Sequence, residues 1–402
     1  MTPAQPVADF PVPGPGVFPS KWLDEAIVRG IVSWDGPADP PSVQPASLDL
    51  RLGPVAYRLR CSFLPDVDHT VEERLEDLAL GEIDLRKEGG ILETNHPYLI
   101  PLAESLELPA NIRAKANPKS STGRIDVLTR VITNRGQRFD EIAPGYRGQL
   151  YLELVSSTFT IRLQPGLSLN QLRLASGRAT VSDDELAAVH REQRLLYYHG
   201  AAVPAETLGR SDGFFLGLDL TGDRDGVVGY KAKRNSRLLD LSKIGAHEPA
   251  DYWEEVITEA GDRLILEPGA FYLLLSAESV RIPPGFAGEM VAYDPTSGEL
   301  RTHYAGFFDP GFGYDELGLP GSQAALEVRA HEVPFMIQHR QPVCKIALER
   351  LLEPSDHLYG EAIGSTYQGQ QSTLSKYFKR PTALRQLSLP DPAVAATRRR
   401  RP

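Results

Sequence analysis

Two stretches of this sequence carry residue types that could do chemistry at close quarters. The first is Pro118-Lys119-Ser120-Ser121-Thr122-Gly123-Arg124-Ile125-Asp126. It sets hydroxyls and two cations beside a glycine, a combination that can offer N–H groups, hydroxyls and positive charge to phosphate oxygens. A solvated polar turn has the same composition, so this stretch alone leaves both readings open. The second runs His303-Tyr304-Ala305-Gly306-Phe307-Phe308-Asp309-Pro310-Gly311 and is followed by Ala325-Leu326-Glu327-Val328. Glu327 sits in an apolar run, where a carboxylate is disfavoured unless it is paired or used. Burial would raise its pKa toward the range useful for proton transfer. The competing reading turns Glu327 outward, because successive strand residues alternate faces.

Missing motifs narrow the chemistry. No His-x-Glu is followed by Pro-Cys-x-x-Cys, so the zinc route to nucleobase deamination is not encoded and no zinc is expected. The phosphate loop, the dinucleotide fingerprint and the Gly-x-Ser-x-Gly elbow are absent as well. Nine histidines are scattered without ligand spacing, and a lone one such as His303 reads as structural. Cys61 and Cys344 form no metal or redox spacing and are expected to be reduced thiols in a cytoplasmic protein. A net charge of -10 repels polymeric nucleic acid, and the basic run Arg398 to Arg401 is expected to be a solvated tail. No apolar run reaches bilayer length, and no charged n-region precedes an apolar stretch, so neither a membrane span nor a secretory signal is expected.

These residues need elements to position them. A chain of 402 residues points to two domains. Pro3, Pro6, Pro11, Pro13 and Pro15 mark residues 1–15 as poorly ordered. Trp22 to Val28 reads as a short amphipathic helix with Gly30 as its stop. From Ser47 onward short β-type runs alternate with Gly and Pro, as in Leu48 to Leu52, Tyr98 to Ile100, Leu150 to Leu154 and Thr160 to Leu163. Many short strands with regular turns predict a mainly β chain, barrel or sandwich. Ser182-Asp183-Asp184-Glu185 is a capping box, which opens a linker helix predicted to reach Tyr198. After Gly213 the β texture returns.

The two halves repeat each other. Glu104-Ser105-Leu106-Glu107-Leu108-Pro109 is echoed by Glu278-Ser279-Val280-Arg281-Ile282-Pro283. Ala143-Pro144-Gly145-Tyr146 leading to Leu152-Glu153 is echoed by Asp309-Pro310-Gly311-Phe312 leading to Leu326-Glu327. Leu48-Asp49-Leu50 finds an echo in Leu218-Asp219-Leu220. Matching landmarks in one order point to internal duplication.

At these residues the chain resembles the dCTP deaminases of the dUTPase-like superfamily, and more closely their double-length bacterial form. The resemblance rests on Pro45 to Gly53, Lys119 to Arg124, Ala305 to Gly311, Leu326-Glu327 and the tail Tyr359 to Lys376, and covers about residues 16 to 380. It implies two tandem dUTPase-like (β-clip) distorted barrels: residues 16–178, a linker with a helix at 179–212, and residues 213–380 ending in a lid, followed by a basic tail at 381–402. It implies hydrolytic deamination of dCTP to dUTP and ammonia, with no metal at the base and Mg2+ carried on the triphosphate. Glu327 would shuttle the proton, Arg124 and Ser120 would place water and the amino group, and the Ala305 carbonyl would complete the water site. Lys119, Ser121, Asp309, Phe312, Tyr359, Tyr367, Gln370 and Lys376 would bind nucleotide, Asp309 through the deoxyribose. Thr366 stands where the family has a lysine, and Lys376 or Lys119 is expected to take its place.

The required parts are divided between the halves. Ser120, Ser121 and Arg124 lie in the first, where Ala143 replaces the sugar-binding aspartate. Asp309, Glu327 and the lid lie in the second, which has Pro295-Thr296-Ser297-Gly298-Glu299 in place of Ser-Ser-x-x-Arg. A composite site follows, formed within one chain or between chains. The family further implies a trimer or pseudo-trimeric assembly, with dTTP as a feedback ligand. Glu153, the first half's counterpart of Glu327, serves a second site or is a relic. Two other functions fit the fold. One is dUTP pyrophosphatase, alone or combined with deamination, with Asp126 or Asp140 holding water. The other is a non-catalytic nucleotide-binding regulator. A cleft shared by Arg124 and Glu327 separates the catalytic readings from the regulator.

Overall fold

Runs of β-branched, aromatic and leucine residues broken by Gly and Pro fold as short antiparallel strands. The computed structural model describes residues 9–36, 38–223, 225–292, 300–302, 306–314, 320–330, 332–360, 367 and 373–380, with the backbone alone at 292 and 300–302. In the first half, Leu48–Arg51, Ser168–Ser176, Ile112–Pro118 and Glu141–Ile142 form one sheet in that order. Val55–Leu59, Pro97–Glu107, Arg147–Ser156 and Val127–Thr133 form the facing one. The second half repeats the plan. Phe214–Gly217, Pro342–Arg350, Phe286–Ala292 and Phe307–Phe308 answer the first sheet, and Val227–Ala232, Phe271–Val280, Ser322–Ala330 and Leu300–Thr302 answer the second. Two packed sheets of alternating inward residues give each half a core.

A buried glutamate marks the duplication most directly. Glu104 accepts a hydrogen bond from the Arg51 N–H at 2.7 Å, and Glu278 accepts one from the Gly217 N–H at 2.9 Å. Arg51 pairs with the first carboxylate and Arg340 with the second. These bonds align Arg51 with Gly217, so Leu48-Asp49-Leu50 corresponds to Phe214-Phe215-Leu216. The sequence echo in Leu218-Asp219-Leu220 is therefore four residues out of register. Strand pairing agrees, since Leu48 faces Leu172 and Phe214 faces Ile346.

Three further departures have local causes. The linker helix spans Asp183–Gln193, opened by the Ser182/Glu185 capping box, and does not reach Tyr198. Arg194 adopts a left-handed φ of 55°, and Leu196–Tyr198 leaves as a strand that pairs with Val280 and Ser279. The first helix begins at Ser20, two residues before Trp22. Within the proline-rich N-terminal segment, Phe10 is 2% exposed and packs against Phe18 and Trp22. One buried aromatic anchors residues that composition marks as poorly ordered; residues 1–8 lie outside the described ones.

The halves are packed into one body. The core of the first continues into Trp253, Phe271, Tyr377 and Phe378 of the second. Ile161–Leu163 pairs in parallel with Leu239–Asp240, and Phe159 meets Tyr252 and Trp253 edge-on. No helix among the described residues is long and apolar enough to cross a membrane.

Candidate active site

Ile112–Pro118 ends at a proline, and the chain turns at once through the short helix Ser120–Gly123. Thr122 anchors that turn by donating its hydroxyl to the Leu169 carbonyl at 2.8 Å. Asp126 leaves it with a left-handed φ of 57°. The turn aims Arg124 toward the second half. There Ser322–Ala330 runs beside Phe271–Val280, with Glu327 opposite Leu273. The outward reading of Glu327 does not hold, because the residue is 5% exposed.

Lys119, Ser120, Arg124, Asp309, Phe312, Glu327, Tyr359 and Tyr367 line one cleft between the halves of a single chain. About 570 Å³ of space not filled by atoms lies there, part of it open to solvent. Met290, Phe307, Ala324 and Ala325 supply its apolar wall. Ser121 lies behind the turn, where its carbonyl accepts the Ser375 hydroxyl at 2.8 Å. Ala305 and Gln370 lie outside the described residues.

Charge in the cleft is set by burial. Loss of solvent pushes the Glu327 carboxyl up to about 8, against the pull of the Arg124 guanidinium and with a further push from Asp126. Burial likewise raises Asp309, which Arg173 draws back down most strongly. Lys376 is lowered by burial and then by the neighbouring Lys119. Lys119 itself pairs with Asp49. Lys119 lines the cleft, whereas Lys376 does not.

The C-terminal segment closes one side. Gly311 has a φ of 95°, and a side chain there would meet Leu358 Cβ and the Tyr359 nitrogen at 2.7 Å. A glycine lets the Asp309-Pro310-Gly311 turn seat the tail, and the Tyr359 N–H donates to the Pro310 carbonyl at 2.8 Å. Tyr359 packs on Phe312, and its hydroxyl accepts the Tyr367 N–H at 3.1 Å. The Tyr367 ring lies 3.6 Å from the Arg124 guanidinium carbon, which also donates through Nη1 to the Thr373 carbonyl at 3.1 Å. The tail thus fixes the arginine from the second half's side.

Glu153 is placed differently. It is buried in the first half and paired with Arg130, whose guanidinium stacks on Phe139. It does not line the cleft, and neither do Asp126 and Asp140. Asp126 accepts from Arg329 and Thr158, and Asp140 accepts the Val131 N–H at 2.8 Å. Two arginines that hold the halves together escape a reading of the sequence: Arg329, on the same strand face as Glu327, and Arg173. The available signal was a lone charge in an apolar strand, as in Leu172-Arg173-Leu174, the same signal that singles out Glu327.

Two barrels of one antiparallel plan, closed on each other around this cleft, define a tandem dUTPase-like protein. Comparison with known proteins makes the family specific. The family model for the 2'-deoxycytidine 5'-triphosphate deaminase (DCD) N-terminal domain matches residues 14–178, and that for the C-terminal domain matches residues 182–378. A "dCTP deaminase, dUMP-forming" of Thermobifida fusca is 36% identical over 152 residues, covering 37% of this chain and 72% of the relative. A "dCTP deaminase" of Halorubrum lacusprofundi is 30% identical over 131 residues, covering 32% and 62%. The crystal structure of 2'-deoxycytidine 5'-triphosphate deaminase from Agrobacterium tumefaciens superimposes with a TM-score of 0.79 at 41% identity, covering 85% of this chain and 99% of that one. The chain belongs to the 2'-deoxycytidine 5'-triphosphate deaminase family.

Proposed function

We propose that this dCTP deaminase converts the Mg2+ complex of dCTP and water into dUTP and ammonia at the cleft between its two halves. Glu327 and Ser120, with the Ala305 carbonyl, hold the water. Glu327 takes a proton as the oxygen attacks C4 of cytosine, then delivers protons to N3 and to the departing ammonia. A carboxyl whose pKa lies near the working pH can do both. Arg124 offsets the charge that develops, and a donor of this kind contributes about 10²–10³-fold in a dry site. Asp309 receives the deoxyribose, while Lys119 and the Tyr359–Tyr367 side receive the phosphates. The observation that carries the reading is that Arg124 and Glu327, from different halves, line one cleft. Among the described residues no group of three or more His, Cys, Asp or Glu side chains is placed to hold a metal ion.

The name of the Thermobifida fusca relative raises the question of a second step to dUMP. Asp126 and Asp140, the carboxylates the sequence offers to hold a water for it, do not line the cleft. The expected products are therefore ammonia and dUTP, without pyrophosphate. Ammonia and pyrophosphate release measured together on dCTP test this, with Glu327→Gln as the control that binds nucleotide but does not turn over. Ammonia release by that variant would exclude Glu327 as the shuttle.

A further inference from the structure

Arg173 belongs to the first half, on Ser168–Ser176, yet its guanidinium is spent on the second. It is 2% exposed. Nη1 donates to the Gly288 carbonyl at 2.9 Å and to Glu349 at 3.3 Å. Nη2 donates to the Phe308 carbonyl at 3.0 Å and to Asp309 Oδ1 at 3.4 Å. Its central carbon lies 3.9 Å from the centroid of the Phe307 ring. One planar group thereby holds three consecutive residues, 307 to 309, through a ring face, a carbonyl and a carboxylate. No lysine could reproduce this, since an ammonium has no fork.

The duplication adds an independent argument. Leu172 pairs with Ala116 as Ile346 pairs with Met290, so the counterpart of Arg173 is Ala347. The counterpart of Asp309 is Ala143, because Ile142 pairs with Ala114 as Phe308 pairs with Gly288. Arginine and aspartate occur together across the interface that forms the cleft. Both reciprocal positions are alanine. The pair therefore goes with the working cleft and is not a general feature of the barrel.

Asp309 lines the cleft and is buried, which disfavours its ionised form. A carboxylate can only accept hydrogen bonds. The sugar of dCTP offers one donor, the 3'-hydroxyl, once the 5'-oxygen is phosphorylated. We propose that Arg173 is a positioning residue that holds the Asp309 carboxyl aimed at the 3'-hydroxyl, so that a side chain of the first half sets sugar recognition by the second. This rests on the assignment of the cleft to dCTP.

The test is equilibrium binding in a Glu327→Gln background, which needs no turnover. Mg2+ complexes of dCTP and of 2',3'-dideoxy-CTP are titrated calorimetrically into the parent and into the same chain carrying Arg173→Gln. The parent is expected to prefer dCTP by about tenfold or more, the scale of one hydrogen bond to a charged group. Arg173→Gln is expected to abolish that preference while leaving the dideoxy Kd within about threefold. Arg173→Lys, which keeps the charge and most of the volume, is expected to retain part of it and serves if the glutamine variant does not fold. Equal weakening of both ligands, or an undiminished preference for dCTP, would overturn the proposal. So would a parent that binds the two alike. Ammonia release by the unmodified chain is measured alongside: if it is absent, the deamination reading falls, while the ligand pair still reports on Arg173.

Discussion

Replacing Glu327 by glutamine is expected to stabilise the protein while destroying its activity, and the gain should depend on pH. The Glu327 carboxyl is raised from 4.5 to about 8 by burial. Below pH 4.5 it is protonated in both the folded and the unfolded chain and costs nothing. Between pH 4.5 and 8 the unfolded chain ionises and the folded one resists, so stability falls as pH rises. Above 8 both forms are ionised and the loss levels off. One pH unit corresponds to about 1.4 kcal/mol, which makes the cost about 3 kcal/mol at pH 7 as an upper limit. Glutamine has the same shape and does not ionise. Urea unfolding followed by circular dichroism, on both proteins at pH 4.5, 6, 7 and 8, measures the difference. Equal midpoints are expected at pH 4.5, with the variant ahead by about 1–3 kcal/mol at pH 7. A difference that does not change with pH, or a variant less stable than the parent at pH 8, would show that Glu327 is not held against ionisation.

The same shift sets the pH dependence of catalysis. If the ionised carboxylate takes the first proton, kcat/KM for dCTP should rise about tenfold per pH unit toward pH 8 and then flatten; a profile flat from pH 6 to 8 would contradict it. The Asp126–Arg329 pair joins the halves two residues beyond Arg124 and Glu327, with Asp126 1% and Arg329 17% exposed at the side chain. Asp126→Asn is expected to cost about 3–5 kcal/mol by leaving a cation in the interface without its counter-charge. Adding Arg329→Met should recover most of that, as read by the same urea midpoints, and a double variant no better than the single one would refute the pairing.

What could be read from the sequence was what local chemistry determines. The Ser182/Glu185 box is complete within four residues, and the structure uses it. The Glu104 and Glu278 segments align because each buried carboxylate takes a backbone N–H from the neighbouring strand. The Leu-Asp-Leu echo misled because three residues match easily, whereas register is set by pairing with strands more than a hundred residues away. Arg173 and Asp309 are 136 residues apart, and Arg329 and Asp126 203 apart, so neither pair leaves a spacing that a sequence could display. The division of the site parts between the halves was legible. Their meeting inside one chain was not, because a head-to-tail contact between domains and one between chains use the same residues.

That meeting is tested most directly by complementation. Arg124→Ala and Glu327→Gln are each expected to release ammonia from dCTP at least about 100-fold more slowly than the parent. The two variants are then unfolded in urea, mixed and refolded together, or expressed together in one cell. With both parts of the site on one chain, every chain in the mixture stays broken and activity remains at the level of the single variants. Recovery in proportion to the mixed assemblies formed would place Arg124 and Glu327 on different chains and contradict the account.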